Sequence, residues 1–222
     1  MAGAIVVFTL AGLLGGLVLI SLAAHRRKQA MEWLAEELEL RYRPDRDPKM
    51  GRRFRFVEPL NRGENWYARH TFSGSYRGHR VIAGDFHCDV PGFFLVRHRA
   101  CSLFLLLLPG AVPKLTIGGK ESTFGSDRKL KYDDVNFESY EFSRRFRVRA
   151  ADKKFAHDVC HAALIRYLLA NDDLSVQLEH VVLALVFNRR LSPGLIEHNL
   201  DRLVEIRRLL PGYLFPALTK VS

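Results

Sequence analysis

Cysteine is scarce in this chain. Only Cys88, Cys101 and Cys160 occur in 222 residues, and no two have CxxC spacing. An odd, dispersed set argues against a disulfide framework and a cysteine-rich zinc site, and fits a reducing compartment. The chain also lacks GxxxxGK[ST], HExxH and a glycine-rich nucleophile turn, so no motif for a cofactor stands out and none is expected. There is no internal repeat and no low-complexity tract. The first 24 residues hold no charged side chain. The formal net charge of +10 therefore falls on the remainder, where Lys and Arg (34) outnumber Asp and Glu (24). Such an excess points to anionic partners, whether a membrane surface, nucleic acid or an acidic protein. With 48% hydrophobic and 26% charged residues, a packed core is expected.

The uncharged run "AGAIVVFTLAGLLGGLVLISLAA" (2–24) is long enough, as a helix, to cross the roughly 30 Å hydrocarbon core. It ends at His25, Arg26, Arg27 and Lys28. A cleaved signal peptide is the rival reading, with "SLAA" as a cleavage site. No basic residue precedes the run, however, and the run exceeds a typical signal core. Basic residues after a span stay cytoplasmic. The sequence thus predicts a single-pass anchor over 1–25 in the cell membrane, with the carboxy-terminal bulk in the cytoplasm. Gly12 and Gly16 form a GxxxG pair that would suit a homodimer. A juxtamembrane helix follows within 26–43, with Met31, Leu34, Ala35 and Leu38 at helical spacing. Arg26, Arg27 and Lys28 stand ready for lipid phosphates. Pro44 and Pro48 break the helix, and a domain over 44–222 is expected after them.

In that domain "NWYARHTFSG" (65–74) and "HRVIAGDFH" (79–87) flank a glycine-bearing turn and predict a hairpin. "GFFLVRHRACSLFLLLLPG" (92–110) is two apolar runs around a polar middle, and "KLTIGG" is a further short strand. "EFSRRFRVRA" (141–150) alternates as a strand with one wet face. "DKKFAHDVCHAALIRYLLAND" reads as one helix capped by Asp152. "LSVQLEHVVLALVFNRR" suggests two strands. "SPGLIEHNLDRLVEIRRLLPG" is a helix bounded by Ser192 and Pro193 at its start and Pro211 and Gly212 at its end. This order gives an α+β class, with a mostly antiparallel sheet covered by helices on one side.

The stretch "YDDVNFESYEFSRRFRVRAADKKFAHDVC" and the elements after it resemble a bacterial family of membrane-anchored proteins known only as a domain of unknown function. Phe142, Phe146, Val148 and the helix start at Asp152 carry the resemblance, over about residues 130–215. It implies amino-terminal membrane segments and no particular catalytic residue.

"GDFHCD" (84–89) is the sharpest candidate site. On a strand, Asp85, His87 and Asp89 would share one face and Phe86 and Cys88 the other. Carboxylate and imidazole are ligands for zinc, manganese or iron, with His70, His79 or His98 as a further donor. The favoured reading of the same residues is a solvent-facing strand edge entering the turn at Val90, Pro91 and Gly92. "HDVCH" (157–161) puts His157 and His161 at i and i+4 of a helix, with Asp158 where a glutamate base would stand. Leu164 and Leu168 continue that face, which favours packing; Cys160 is a possible third ligand or nucleophile. The clusters "GRRFRF" (51–56) and "SRRFRVR" (143–149) interleave arginine with phenylalanine, as nucleic-acid binders do, but also as half-buried strands do.

These readings favour a non-enzymatic module at the membrane, in contact with an anionic lipid surface or a protein partner, with nucleic acid disfavoured. Arg26, Arg27, Lys28, Arg52 and Arg53 would make the membrane contacts. The alternative is a membrane-tethered metal-dependent hydrolase using Asp85, His87 and Asp89 to hold a metal-activated water.

Overall fold

The computed structural model describes residues 21–58, 60–92, 95–120, 132 and 134–215. Most of the expected anchor lies outside the described residues, as do Gly12 and Gly16. Among the described residues no helix is long and apolar enough to cross a membrane.

The expected hairpin is present. Strands β2 (Glu64–Tyr76) and β3 (His79–Val90) pair antiparallel up to Tyr76 and His79. Arg77 and Gly78 join them, with φ of 48° and 79°. Positive φ at both central positions is what a two-residue hairpin needs to match strand twist, and Gly78 adopts it without strain. The three-residue strand β1 (Arg41–Arg43) adds to the outer edge of β2.

The next strand corrects two expectations at once. β4 (Arg97–Gly119) is one strand of 23 residues rather than separate pieces. Its first half pairs with β3, from Val90 with Arg97 to Val81 with Leu106. Its last residues pair with β5 (Phe146–Ala150), and its other edge pairs with β6 (Val176–Phe187). Pro109 and Pro113 have no N–H to give a ladder. The register with β6 shifts on both sides of Val112, which pairs with His180. His180 has φ of 53°, so the two-stranded ribbon bends there. The expected pair of strands at 174–187 is therefore one bent strand. The bend is sharp enough that Val186 N–H donates to Ser175 C=O at 2.9 Å.

Two further boundaries differ from the sequence reading. Residues Tyr140–Arg145 are a short helix, α3, because the Ser139 hydroxyl accepts from Phe142 N–H at 3.3 Å and caps it. Only the second half of "EFSRRFRVRA" is strand. The long helix after Asp152 divides into α4 (Lys153–Val159) and α5 (Ala162–Ala170). Asp152 caps α4 as expected. His161 caps α5, its Nδ1 accepting from Ala163 N–H at 3.3 Å while Nε2 meets Leu209 C=O at 2.8 Å. His157 and His161 are thus not one turn apart on a common helix. The last helix, α6 (Pro193–Leu209), follows the predicted boundaries, although the Ser192 side chain makes no capping bond.

The six strands described form one antiparallel sheet with two faces of unequal cover. On the larger, Val81, Phe104, Leu106, Leu183 and Leu185 join a core with Phe155, Leu164, Leu168, Ile196, Leu200 and Leu203 of the helices. Met31, Leu34 and Ala35 of the helix at 21–37, α1, belong to that same core. The juxtamembrane segment is therefore packed with the sheet, not spaced from it. On the other face, Ile82, Phe86, Leu103, Leu105 and Ala184 meet Phe54, Val57 and Leu60. These last three follow the short helix α2 (Pro48–Arg53), so the sheet is covered on both sides there.

Candidate functional site: a basic cleft beside a buried aspartate

Alternation along β3 holds through residues 81–89. Phe86 and Cys88 lie in the smaller core, while Asp85, His87 and Asp89 share the opposite face. But β3 runs between β2 and β4, so this is an inner strand and not a solvent-facing edge. Asp85 is only 2% exposed. Its Oδ2 accepts from Arg27 Nη2 at 2.9 Å and its Oδ1 from Leu191 N–H at 2.5 Å. The same Arg27 Nη2 donates to Leu191 C=O at 2.8 Å. Three distant segments, α1, β3 and the turn before α6, are tied at this point. A buried carboxylate needs such partners, because an unpaired one is strongly disfavoured.

His87 and Asp89 belong to a separate relay. Asp89 Oδ1 lies 2.9 Å from His98 Nδ1, and His98 Nε2 lies 3.0 Å from His87 Nδ1. Asn65 Nδ2 donates to the other Asp89 oxygen at 3.2 Å. The carboxylate fixes the direction: Nδ1–H of His98 donates to Asp89, leaving His98 Nε2 to accept from His87. The His87 ring stacks on Tyr67 at 4.6 Å, nearly parallel, and the Arg46 guanidinium caps Tyr67 at 4.1 Å. Of the other histidines considered, His70 bonds Tyr42 Oη at 2.6 Å and His79 stands at the hairpin turn. Among the described residues no three His, Cys, Asp or Glu side chains converge as a metal site. Asp85, His87 and Asp89 share a face, but about 6–7 Å of strand separates each from the next.

Burial pushes His87 down to about 4, with His98 and Arg190 adding to the effect against Asp85. An unfolded chain takes up this proton near 6.5. Between those values the unfolded state holds a proton that the folded state does not, so stability rises with pH across the window and is lost on acidification. Asp89, held below the usual carboxylate range by His98 and Asn65, acts only at lower pH. The urea midpoint is expected to fall between about pH 7 and about pH 5, and His87→Asn is expected to flatten that fall. An equal fall in the variant would move the cause elsewhere.

Beside Asp85 lies an open cleft of about 690 Å³, lined by His25, Arg27, Lys28, Pro44, Asp45, Arg69, His70 and Arg190. Burial, then Arg27, holds the His70 imidazole below its ordinary range and so neutral. Arg27 already pairs with Asp85, and Lys28 reaches Glu32 at 3.5 Å. Arg69 and Arg190 have no ion pair among the described residues. With Arg27 and Lys28 paired, Arg69 and Arg190 face Asp45, a net positive balance that makes the cleft receptive to an anion.

Of the basic residues singled out in the sequence, Arg27 and Lys28 line this cleft and Arg26 is exposed on the same helix. Arg52 and Arg53 are exposed on α2, and Arg53 borders a different cavity with Ser73 and Arg80. Arg69 and Arg190 carried no sequence signal as partners, since 121 residues separate them and only the fold brings them together. Three of the four arginines of 143–149 face carboxylates instead: Arg145 pairs with Glu141 and Asp172, and Arg147 and Arg149 with Asp134. Burial pushes the Cys160 thiol up to about 12, leaving no thiolate for nucleophilic chemistry near neutrality.

No family model matches this chain, and no curated protein matches it. Among solved structures, the chain is similar to the crystal structure of the mycobacterial trehalose monomycolate transport factor A, TtfA. The TM-score is 0.63 at 12% identity, covering 84% of this chain and 95% of that one. What this chain shares with TtfA is the fold: a mostly antiparallel sheet with helices packed against it.

Proposed function

We propose that this chain is a single-pass membrane protein whose α+β domain binds the anionic surface of the membrane it is anchored to, as a binding or scaffold module. The observation that carries this is the place of the basic cleft. Lys28, Arg69 and Arg190 meet at the amino-terminal end of α1, directly after the apolar run 2–24. A helix continuing into the bilayer would hold the cleft at the level of the headgroups. Each basic residue near an anionic leaflet contributes about 1 kcal/mol. The resemblance over residues 130–215 implies the same membrane setting. The name of TtfA, a transport factor, is compatible with a non-catalytic role. The cytoplasmic orientation follows from the basic residues after the run, and Gly12 and Gly16 remain the proposed route to a homodimer. No observation favours a hydrolase, because both oxygens of Asp85 are already engaged.

The test is vesicle co-sedimentation of residues 21–222 at low and moderate salt. Binding to phosphatidylserine-containing vesicles, weakened by salt, is expected. Arg69→Gln with Arg190→Gln is expected to weaken it by about 2 kcal/mol, about 30-fold. Equal binding to neutral and anionic vesicles, or binding to neither, would overturn the electrostatic reading.

A further inference from the structure

The turn between β3 and β4 exposes apolar surface that packing does not explain. Leu95 is 77% exposed and Val96 67%. Elsewhere among the described residues, large exposed hydrophobic side chains stand singly, without such an adjacent pair. Two adjacent branched apolar side chains in water are a liability unless something covers them. A Cβ on Gly92 would lie 2.5 Å from the Leu95 carbonyl oxygen, so Gly92 and Leu95 approach each other closely. Arg97 and Arg99 follow at once, both exposed and without an ion pair among the described residues. Positions 93 and 94, both phenylalanine in the sequence, lie outside the described residues.

The register fixes where this tip points. Leu40 packs against Gly74, which pairs with Val81 at the start of β3. Arg27 bonds Asp85, further along. Going from Val81 towards Val90, the contacts with the amino-terminal segment therefore pass from residue 40 back to residue 27. α1 and β3 run in opposite senses, and the start of α1 points to the same end as the β3–β4 turn. Val90 lies about 16 Å beyond Asp85 along the strand, and residue 21 about 9 Å beyond Arg27 along the helix. Leu22, 48% exposed, is at that end too. Residues 21–24, the described end of the apolar run, lie there.

Resting on the membrane reading above, we infer that Leu95 and Val96, just before β4, are a second membrane contact. Leu95 and Val96 enter the interfacial region of the bilayer, and Arg97 and Arg99 form a collar at the phosphates. The occupant is lipid, because an apolar tip above a basic collar matches acyl chains beneath anionic headgroups. With the anchor, this makes two points of attachment, which restrict rotation of the domain about the helix axis.

The experiment uses the full chain reconstituted in vesicles containing phosphatidylserine. The three native cysteines are buried, so Leu95→Cys accepts an environment-sensitive fluorophore selectively. Arg80→Cys, exposed at the opposite end of β3, serves as the reference. The label at position 95 is expected to shift to the blue and to be quenched several-fold by nitroxide-bearing lipids, and the label at position 80 to do neither. A chain that floats with the vesicles but leaves position 95 unquenched overturns the second contact and keeps the anchor. A chain that does not float with them overturns both.

Discussion

A fragment beginning at residue 44 is expected to fail to fold, while one beginning at residue 21 folds cooperatively. The shorter fragment loses Met31, Leu34 and Leu40, all under 10% exposed, and the β1 edge pairing of Arg41–Arg43 with Thr71–Ser73. Burying three such side chains contributes about 5–9 kcal/mol. That is comparable to the whole stability of an ordinary domain, about 5–15 kcal/mol. The loss also bares Phe72, Tyr76 and Val81 to water, so aggregation is the expected fate of the fragment. Circular dichroism with urea titration of both fragments decides it. Equal midpoints would mean that α1 is peripheral to the core. The helix expected over 26–43 ends at residue 37 and β1 precedes Pro44, so the boundary at 44 breaks neither a helix nor the core.

The second large effect is expected at Asp85. Asp85→Ala leaves the Arg27 guanidinium and the Leu191 N–H without their acceptor. Breaking a buried pair from one side costs about 3–5 kcal/mol, and since Arg27 is 29% exposed the lower end applies. Arg27→Met is expected to cost as much or more, because it strands a carboxylate that is 3% exposed. The double variant, Arg27→Met with Asp85→Leu, is expected to recover most of the loss, since no uncompensated charge is then buried. Urea midpoints of the four proteins give the coupling directly. Independent, additive losses would show that Arg27 and Asp85 are each solvated in solution.

These residues also show what local sequence could and could not reveal. The hairpin was legible because Gly78 marks a turn needing positive φ. The shared face of Asp85, His87 and Asp89 was legible because β3 keeps its alternation without a bulge. Its partners were not legible: Arg27 lies 58 residues away and Leu191 106 residues away. In β2, by contrast, the register shifts between Arg69 and Phe72, and His70 has φ of 48°. A bulge resets which side chains share a face, so no periodicity argument could have aimed Arg69 at the cleft. The break at His161 was hidden because histidine is a rare cap, and the ring is fixed there by Leu209 from another helix. The length of β4 was hidden because Pro109 and Pro113 read as strand ends, whereas here they sit in a bend.

The long strand β4 has a consequence for the order of folding. Its residues 97–106 can zip onto β3 as soon as both are made, since the pairing is local. Its other edge waits for residues 176–187, and the helices over the larger core are not complete until Leu209. During synthesis, then, an apolar wall at Leu103–Leu108 stays half-covered while roughly a hundred further residues emerge. Loop closure over such a separation is slow, and exposed strand edges of this kind invite misassembly. That interval closes only when β6 pairs with β4 along Ser102–Ile117, so the last third of the chain decides whether the wall ends up in a core or against a neighbour.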